Sequence, residues 1–259
     1  MSSSYWKDRE ALTQSKLTEK NIKQTEAQLA KYYSRSMQRV INDFERTYEK
    51  LLATVADGRQ ITPADLYKLD TYWQMQGQLK RELQKLGDKQ VDLLSKKFVD
   101  EYSEIYRALA LKDNLYFREI DKDNALQMIN QIWCADGKSW SQRIWGNVDK
   151  LQQTLNDGLI ECVVTGKKTT ELKNILQERF SVGYNNADSI VRTEMAHIQT
   201  QSAQQRYKDT GIERYEVWAD KDERRCEHCG KLHKTTYPVG TTPPIPAHPR
   251  CRCTIIPVV

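Results

Sequence analysis

Glycine and proline are scarce in this 259-residue chain, at 11 and 7 residues. That scarcity of breakers argues against a compact α/β enzyme, which needs many tight turns. No run of about 18 apolar residues occurs, which excludes a membrane-spanning helix. The opening residues, Met1 to Asp8, lack the apolar stretch of a secretory signal. A cytosolic origin in a reducing compartment is therefore expected. Internal repeats and low-complexity linkers are absent too. What the chain does have is charge: 29% of residues are charged against 39% hydrophobic. Charge in that excess, with so few breakers, favours long amphipathic helices, and the length allows one large domain or two ordinary ones.

The periodicity agrees. Met37, Val40, Ile41, Phe44, Tyr48, Leu51, Leu52 and Val55 follow the i, i+3, i+4, i+7 rule, and Asp57-Gly58 is a stop signal. Thr62 and Pro63 announce a second helix, with Thr62 placed to cap and Pro63 at the first helical position. Its stripe runs from Leu66 through Tyr72, Leu79 and Leu83 to Leu86, and Gly87 is expected to end it. Val91, Leu94, Phe98, Tyr102, Ile105 and Leu109 trace a third. Residues 1–110 thus read as three long helices, the first extending back toward Trp6. Asp113-Asn114 is a turn or cap signal, and Trp140 to Leu159 gives a further helix. A short helix is expected from Thr169 to Phe180, and a longer one capped at Asn185 or Asn186, running to about Asp209 and closed by Gly211. Beyond Gly211 the period changes to two: Tyr215, Val217 and Ala219 alternate with Arg214, Glu216 and Trp218, which indicates a strand. Six of the seven prolines fall at 238–257. The fold class is therefore mainly α: a long helical arm and helical body, with a small C-terminal zinc-bound β module. The expected divisions are 1–135 for the arm, 136–211 for the body and 212–259 for the strand and zinc-knuckle module.

Chemistry is concentrated in that last segment. Four of the six cysteines, Cys226, Cys229, Cys251 and Cys253, lie within 28 residues, while Cys134 and Cys162 stand alone in helical sequence and read as small packed residues. A reducing compartment argues against disulfides. Cys226 and Cys229 form a C-x-x-C followed by Gly230, the spacing of a zinc knuckle, and His248, Cys251 and Cys253 return after a loop. Five donors compete for four places. One set is Cys226, Cys229, His248 and Cys251; the other replaces His248 with Cys253 and leaves the histidine as an outer hydrogen-bonding group. The first is preferred, because ligands two residues apart strain a tetrahedron. His228 and His233 read as exposed bystanders. Ligands in surplus, and no acidic neighbour except Glu227, point to a closed structural zinc rather than a catalytic one. The 45-odd residues of the module hold too few apolar side chains to fold alone, so metal would supply folding free energy.

The net charge is +5, and residues 224–259 alone carry +5. Arg224, Arg225, Arg250 and Arg252 are candidate contacts to DNA phosphate.

These motifs fall in a distinctive order. The helix Ile190, Val191, Arg192, Thr193, Glu194, Met195, Ala196 precedes the strand Tyr215 to Ala219 and the segment Asp222 to Cys226. Cys229 to His233, the pair Pro243-Pro244, and His248, Pro249, Arg250, Cys251, Arg252, Cys253 complete it. Over about 155–257 this resembles the phage head morphogenesis proteins, also called phage Mu F-like minor head or minor capsid proteins. The resemblance implies a structural virion protein of a tailed phage or prophage, without enzymatic activity. It would associate with the portal protein and other head proteins at the portal vertex, and an influence on DNA packaging or delivery is implied for some members. Assembly would take place in the host cytoplasm. Arg192, Thr193 and Glu194 are expected to form a structural network, in which inward-facing ion pairs of Arg192 and Glu194 fix the long helix to the zinc module and Thr193 bonds locally. Arg192 and Glu194 are two apart and do not face each other, so each needs a partner elsewhere. Two other readings stay open: a nucleic-acid-binding zinc module, and a metal-dependent nuclease using His248 or Glu227.

Overall fold

The computed structural model describes residues 3–55, 62–110, 122–219 and 225–258. The Asp57-Gly58 stop, the Asp113-Asn114 signal and Arg224 lie outside them. Seven helices and three strands are seen among the described residues: α1 (Ser3–Val55), α2 (Pro63–Leu66), α3 (Asp70–Ala110), α4 (Lys122–Ile129), α5 (Trp140–Val164), α6 (Thr169–Asp209), β1 (Arg214–Trp218), α7 (Glu227–Leu232), β2 (Thr236–Pro238) and β3 (Thr254–Pro257). The chain is mainly helical, with one small antiparallel sheet of order β2-β1-β3 near its C-terminal end. Two compact units are formed. One comprises residues 1–26, 93–140 and 189–259, the other 27–92 and 141–188.

In the second unit the stripe of α1 delivers Val40, Ile41, Phe44, Tyr48 and Leu51 to the core, each at most 2% exposed. Three expected helix boundaries move. Thr62 does begin a helix, with Asp65 reaching back to its backbone N–H at 3.1 Å, but α2 stops after four residues and α3 starts anew at Asp70. Gly87 does not terminate anything. It lies inside α3, and the indole of Trp145 on α5 occupies the place of its missing side chain: an added Cβ would sit 2.3 Å from a ring carbon. Glycine is thus a packing choice here, permitting close approach of two helices. Gly87→Ala is expected to destabilise the protein by about 1–3 kcal/mol in urea denaturation, because overpacking outweighs the helix propensity gained. Nor do Asn185 and Asn186 cap a helix. Both are exposed within a continuous α6, where their low propensity costs only tenths of a kcal/mol each and Phe180 and Ala187 pack on either side of them.

In the first unit β1 and β3 are buried on both faces, while β2 is more exposed. Tyr215 and Val217 of β1 join Ile255, Ala203, Tyr207, Ile105 and Leu109 in one apolar cluster. The opposite face is covered by the start of α1: Ala11 packs with Trp218 and Ile256, and Lys7 Nζ pairs with Glu216 at 2.7 Å. Gln14 donates to the Ile255 carbonyl at 3.1 Å and accepts from the Thr254 hydroxyl at 2.7 Å. Tyr207 donates to the same Ile255 carbonyl at 3.1 Å. Side chains thereby satisfy a carbonyl on an edge strand that would otherwise recruit another chain. The α6 stretch from Glu194 to Thr200 is buried without interruption, so this part of the helix is enclosed all round and not on a single stripe.

Candidate metal centre

Cys226 is the N-cap of the short helix α7, and its Sγ accepts the Cys229 amide at 3.3 Å. That geometry turns the two C-x-x-C sulfurs to the same side. The other donors arrive on the segment before β3. Cys251 and Cys253 are buried, with Arg252 half-buried between them. A turn closed by the Cys251 amide on the His248 carbonyl at 3.2 Å, with Arg250 at φ 60°, places His248 over the cluster. Cys229 Sγ lies 3.3 Å from His248 Nε2 and 3.8 Å from Cys251 Sγ.

The ligand atoms gather in two overlapping trios: Cys226, Cys229 and His248, and Cys229, Cys251 and Cys253. Within each, all ligand atoms lie inside 4.8 Å of one another. Cys229 belongs to both. These residues fit a structural zinc ion. Zinc–sulfur bonds of about 2.3 Å in a tetrahedron give sulfur–sulfur edges of about 3.8 Å, the separation seen between Cys229 and Cys251. The histidine is also oriented as a ligand. Its Nδ1 lies 2.9 Å from the Pro249 carbonyl, which can only accept, so Nδ1 carries the proton and Nε2 presents its lone pair to the sulfurs.

The acid–base state of the cluster calls for a cation. Cys251 is brought down to about 5 by the hydrogen bond from the Cys253 thiol, helped by backbone bonds from Cys253 and Ala247. Cys253, donating that proton, is pushed far up. Burial raises Cys229 to about 12, and the neighbouring Cys251 adds to it. The Cys229 amide lowers Cys226, and the bond to Pro249 raises His248. Buried thiols this close cannot all ionise against one another, whereas a divalent ion reverses that repulsion. Glu227, next to Cys226 in sequence, is exposed and pairs with Lys231 at 2.7 Å.

The remaining candidates fall around this centre. Arg225 and Arg250 are exposed. Thr193 receives the Arg250 amide at 3.1 Å and donates to the Ser189 carbonyl at 2.6 Å, so the long helix touches the metal-site loop directly. Arg192 pairs with Glu19 at 3.5 Å and with Glu26. Glu194 accepts the Trp133 indole N–H at 2.9 Å, and Trp133 stacks on His197 at 4.1 Å. His228 is exposed, but His233 is not a bystander. Its Nδ1 accepts the Ala219 amide at 3.3 Å and its ring meets Trp218 edge-on. The covering of β1 by α1 was also missed by sequence reasoning, because Ala11 is small and Gln14 polar. Cys162 is buried in the second unit and Cys134 is half-buried.

Neither a curated protein nor a solved structure matches the chain. Residues 153–256 match the family described as Phage Mu protein F like protein. That span runs from within α5 to β3 and takes in all five sulfur and imidazole donors together with Arg192, Thr193 and Glu194. Over these residues the chain is thus similar to the phage Mu F-like head morphogenesis proteins, the family its motifs resemble.

Proposed function

We propose that the protein is a structural minor head protein of a tailed phage or prophage that associates with the portal during head assembly, its C-terminal module closed by one structural zinc ion. The observation that carries this reading is the family match over residues 153–256. The chemistry of the site agrees with it. The donors are thiols and one imidazole, the surplus of ligands leaves no position for substrate or water, and the Glu227 carboxylate is engaged at the surface. Zinc would be held by Cys229 with Cys226, Cys251 and His248, Cys253 being the alternative to His248. Held this way the ion is a fastener that supplies folding free energy, and no catalytic residue is assigned.

Two measurements test the proposal. Co-expressed with the portal protein of the same phage or prophage, the tagged chain is expected to co-purify with portal oligomers and to be found in heads by mass spectrometry. Absence from particles, with no portal capture, would sink the assignment. The purified protein is expected to carry about one equivalent of zinc; less than about half an equivalent would count against the metal.

A further inference from the structure

We propose that the metal centre is a five-donor site in which His248 and Cys253 are interchangeable fourth ligands, and that Cys229 is the ligand it cannot lose. This rests on the reading that zinc is bound. The inference comes from the way the donors group. Two trios, each compact within 4.8 Å, share only Cys229. Neither four-residue set that a tetrahedral ion requires lies wholly inside one trio. The His248 set needs Cys251 to join the first, and the Cys253 set needs Cys226 to join the second. Cys229 lies close to the first trio's imidazole, at 3.3 Å, and to the second trio's Cys251, at 3.8 Å. An ion seated beside Cys229 has one more donor within reach than it has places.

The two rivals are held by different parts of the fold. Cys253 is buried and immediately precedes β3, whose residues pair with β1 from Thr254 onward, so it is presented by the sheet. His248 is half-buried in the loop before Arg250, and that loop is tied to α6 through the Arg250 amide and Thr193. The rigid sheet and the tethered loop each offer one ligand to the same position. Exchanging them needs a rotation about side-chain bonds and no rearrangement of the strands. Cysteine binds zinc as the thiolate, so its entry releases one proton to solvent and its departure takes one up. The ion stays divalent and nothing is oxidised or reduced.

The experiment uses the full chain, as parent and as His248→Ala, Cys253→Ala, the double variant and Cys229→Ala, each loaded with zinc and, separately, with cobalt(II). Zinc content is read after desalting, and sulfur-to-cobalt charge-transfer absorption reports the number of thiolates. Both single variants are expected to retain about one equivalent, with His248→Ala gaining absorption as a further thiolate enters. The double variant and Cys229→Ala are expected to fall below half an equivalent. Loss of metal from either single variant alone would overturn the proposal, making that residue the sole fourth ligand; retention by the double variant would overturn it as well. Should Cys253→Ala fail to fold, Cys253→Ser keeps the shape and must still bind. A parent that binds neither metal would instead refute the zinc reading, a result distinct from all of these.

Discussion

Stripping the metal from zinc-loaded protein will unfold the sheet module, and the change will reach residues 7–18 of α1. Cys229, Cys251 and Cys253 are not appended to the apolar cluster of the first unit. They are part of it, alongside Tyr215, Val217, Ile245 and Ile255. Removing the ion leaves buried sulfurs that must take up protons and lose their common anchor. Structural zinc in small modules contributes an apparent 10–16 kcal/mol at neutral pH, roughly, which is comparable to the whole stability of a typical domain. Because Gln14 and Lys7 bond to Thr254, Ile255 and Glu216, loosening of the sheet releases the helix that covers it. Hydrogen exchange followed by mass spectrometry, with and without chelator, reads both effects. Large acceleration is expected over 212–258 and over 7–18, with little change at 40–51 in the second unit. Unaltered exchange in the sheet after verified zinc removal would refute the structural role.

Glu101→Gln will make the protein more stable at pH 8, by up to about 3 kcal/mol, and leave it unchanged near pH 4.5. Glu101 of α3 is fully buried. It accepts from Thr18 and from Asn21, the latter at 2.7 Å, and Asn21 also reaches Glu104 at 3.1 Å. Burial pushes its carboxyl up to about 7, the Glu104 carboxylate adds to that, and the two hydrogen bonds only partly offset it. A folded-state value above the unfolded one means that folding takes up a proton. The contribution is present below about 4.5 and is lost as pH rises to 7, each tenfold difference in proton affinity between the two states being worth about 1.4 kcal/mol. His197 of α6 works in the opposite sense. Burial lowers it to about 4, and among the described residues its Nε2 has no hydrogen-bond partner. Its contribution is present above about 6.5 and is lost as pH falls toward 4. Between these limits the two slopes oppose each other in the parent. Urea denaturation at pH 4.5, 6 and 8 should therefore show the variant gaining stability with pH where the parent is flatter. A variant–parent difference that is the same at all three values would show that Glu101 stays ionised in the fold.

The helices and the clustering of thiols with an imidazole were legible because both are local patterns. Val40, Phe44 and Tyr48 repeat at helical spacing, and Cys226, Cys229, His248 and Cys251 announce themselves by spacing and type. What escaped was set by partners far away in sequence. Gly87 looked like a stop, since nothing near it reveals that Trp145 needs the space. Asn185 and Asn186 looked like caps, although α6 passes through them supported on either side by packed residues. The start of α1 was hardest to see. Its buried positions include Gln14, Thr18, Asn21 and Thr25, spaced as a core stripe but polar, so hydrophobic periodicity passes over them. Three of them are satisfied by distant parts of the fold, Gln14 by the sheet and Thr18 and Asn21 by Glu101, while Thr25 bonds the Asn21 carbonyl of its own helix. The contact of Thr193 with Arg250 likewise spans 57 positions, and no spacing rule reports it.

That polar stripe also has a consequence in time. Gln14 and the Ile255 carbonyl it bonds are 241 positions apart. At a ribosome's pace of about 5–20 residues per second, the helix start emerges roughly ten to fifty seconds before the strand it covers exists. An apolar stripe left bare for that interval would invite association with other nascent chains. One built from glutamine, threonine and asparagine can wait in water, and its Gln14 end becomes dry only when β3 arrives to close over it.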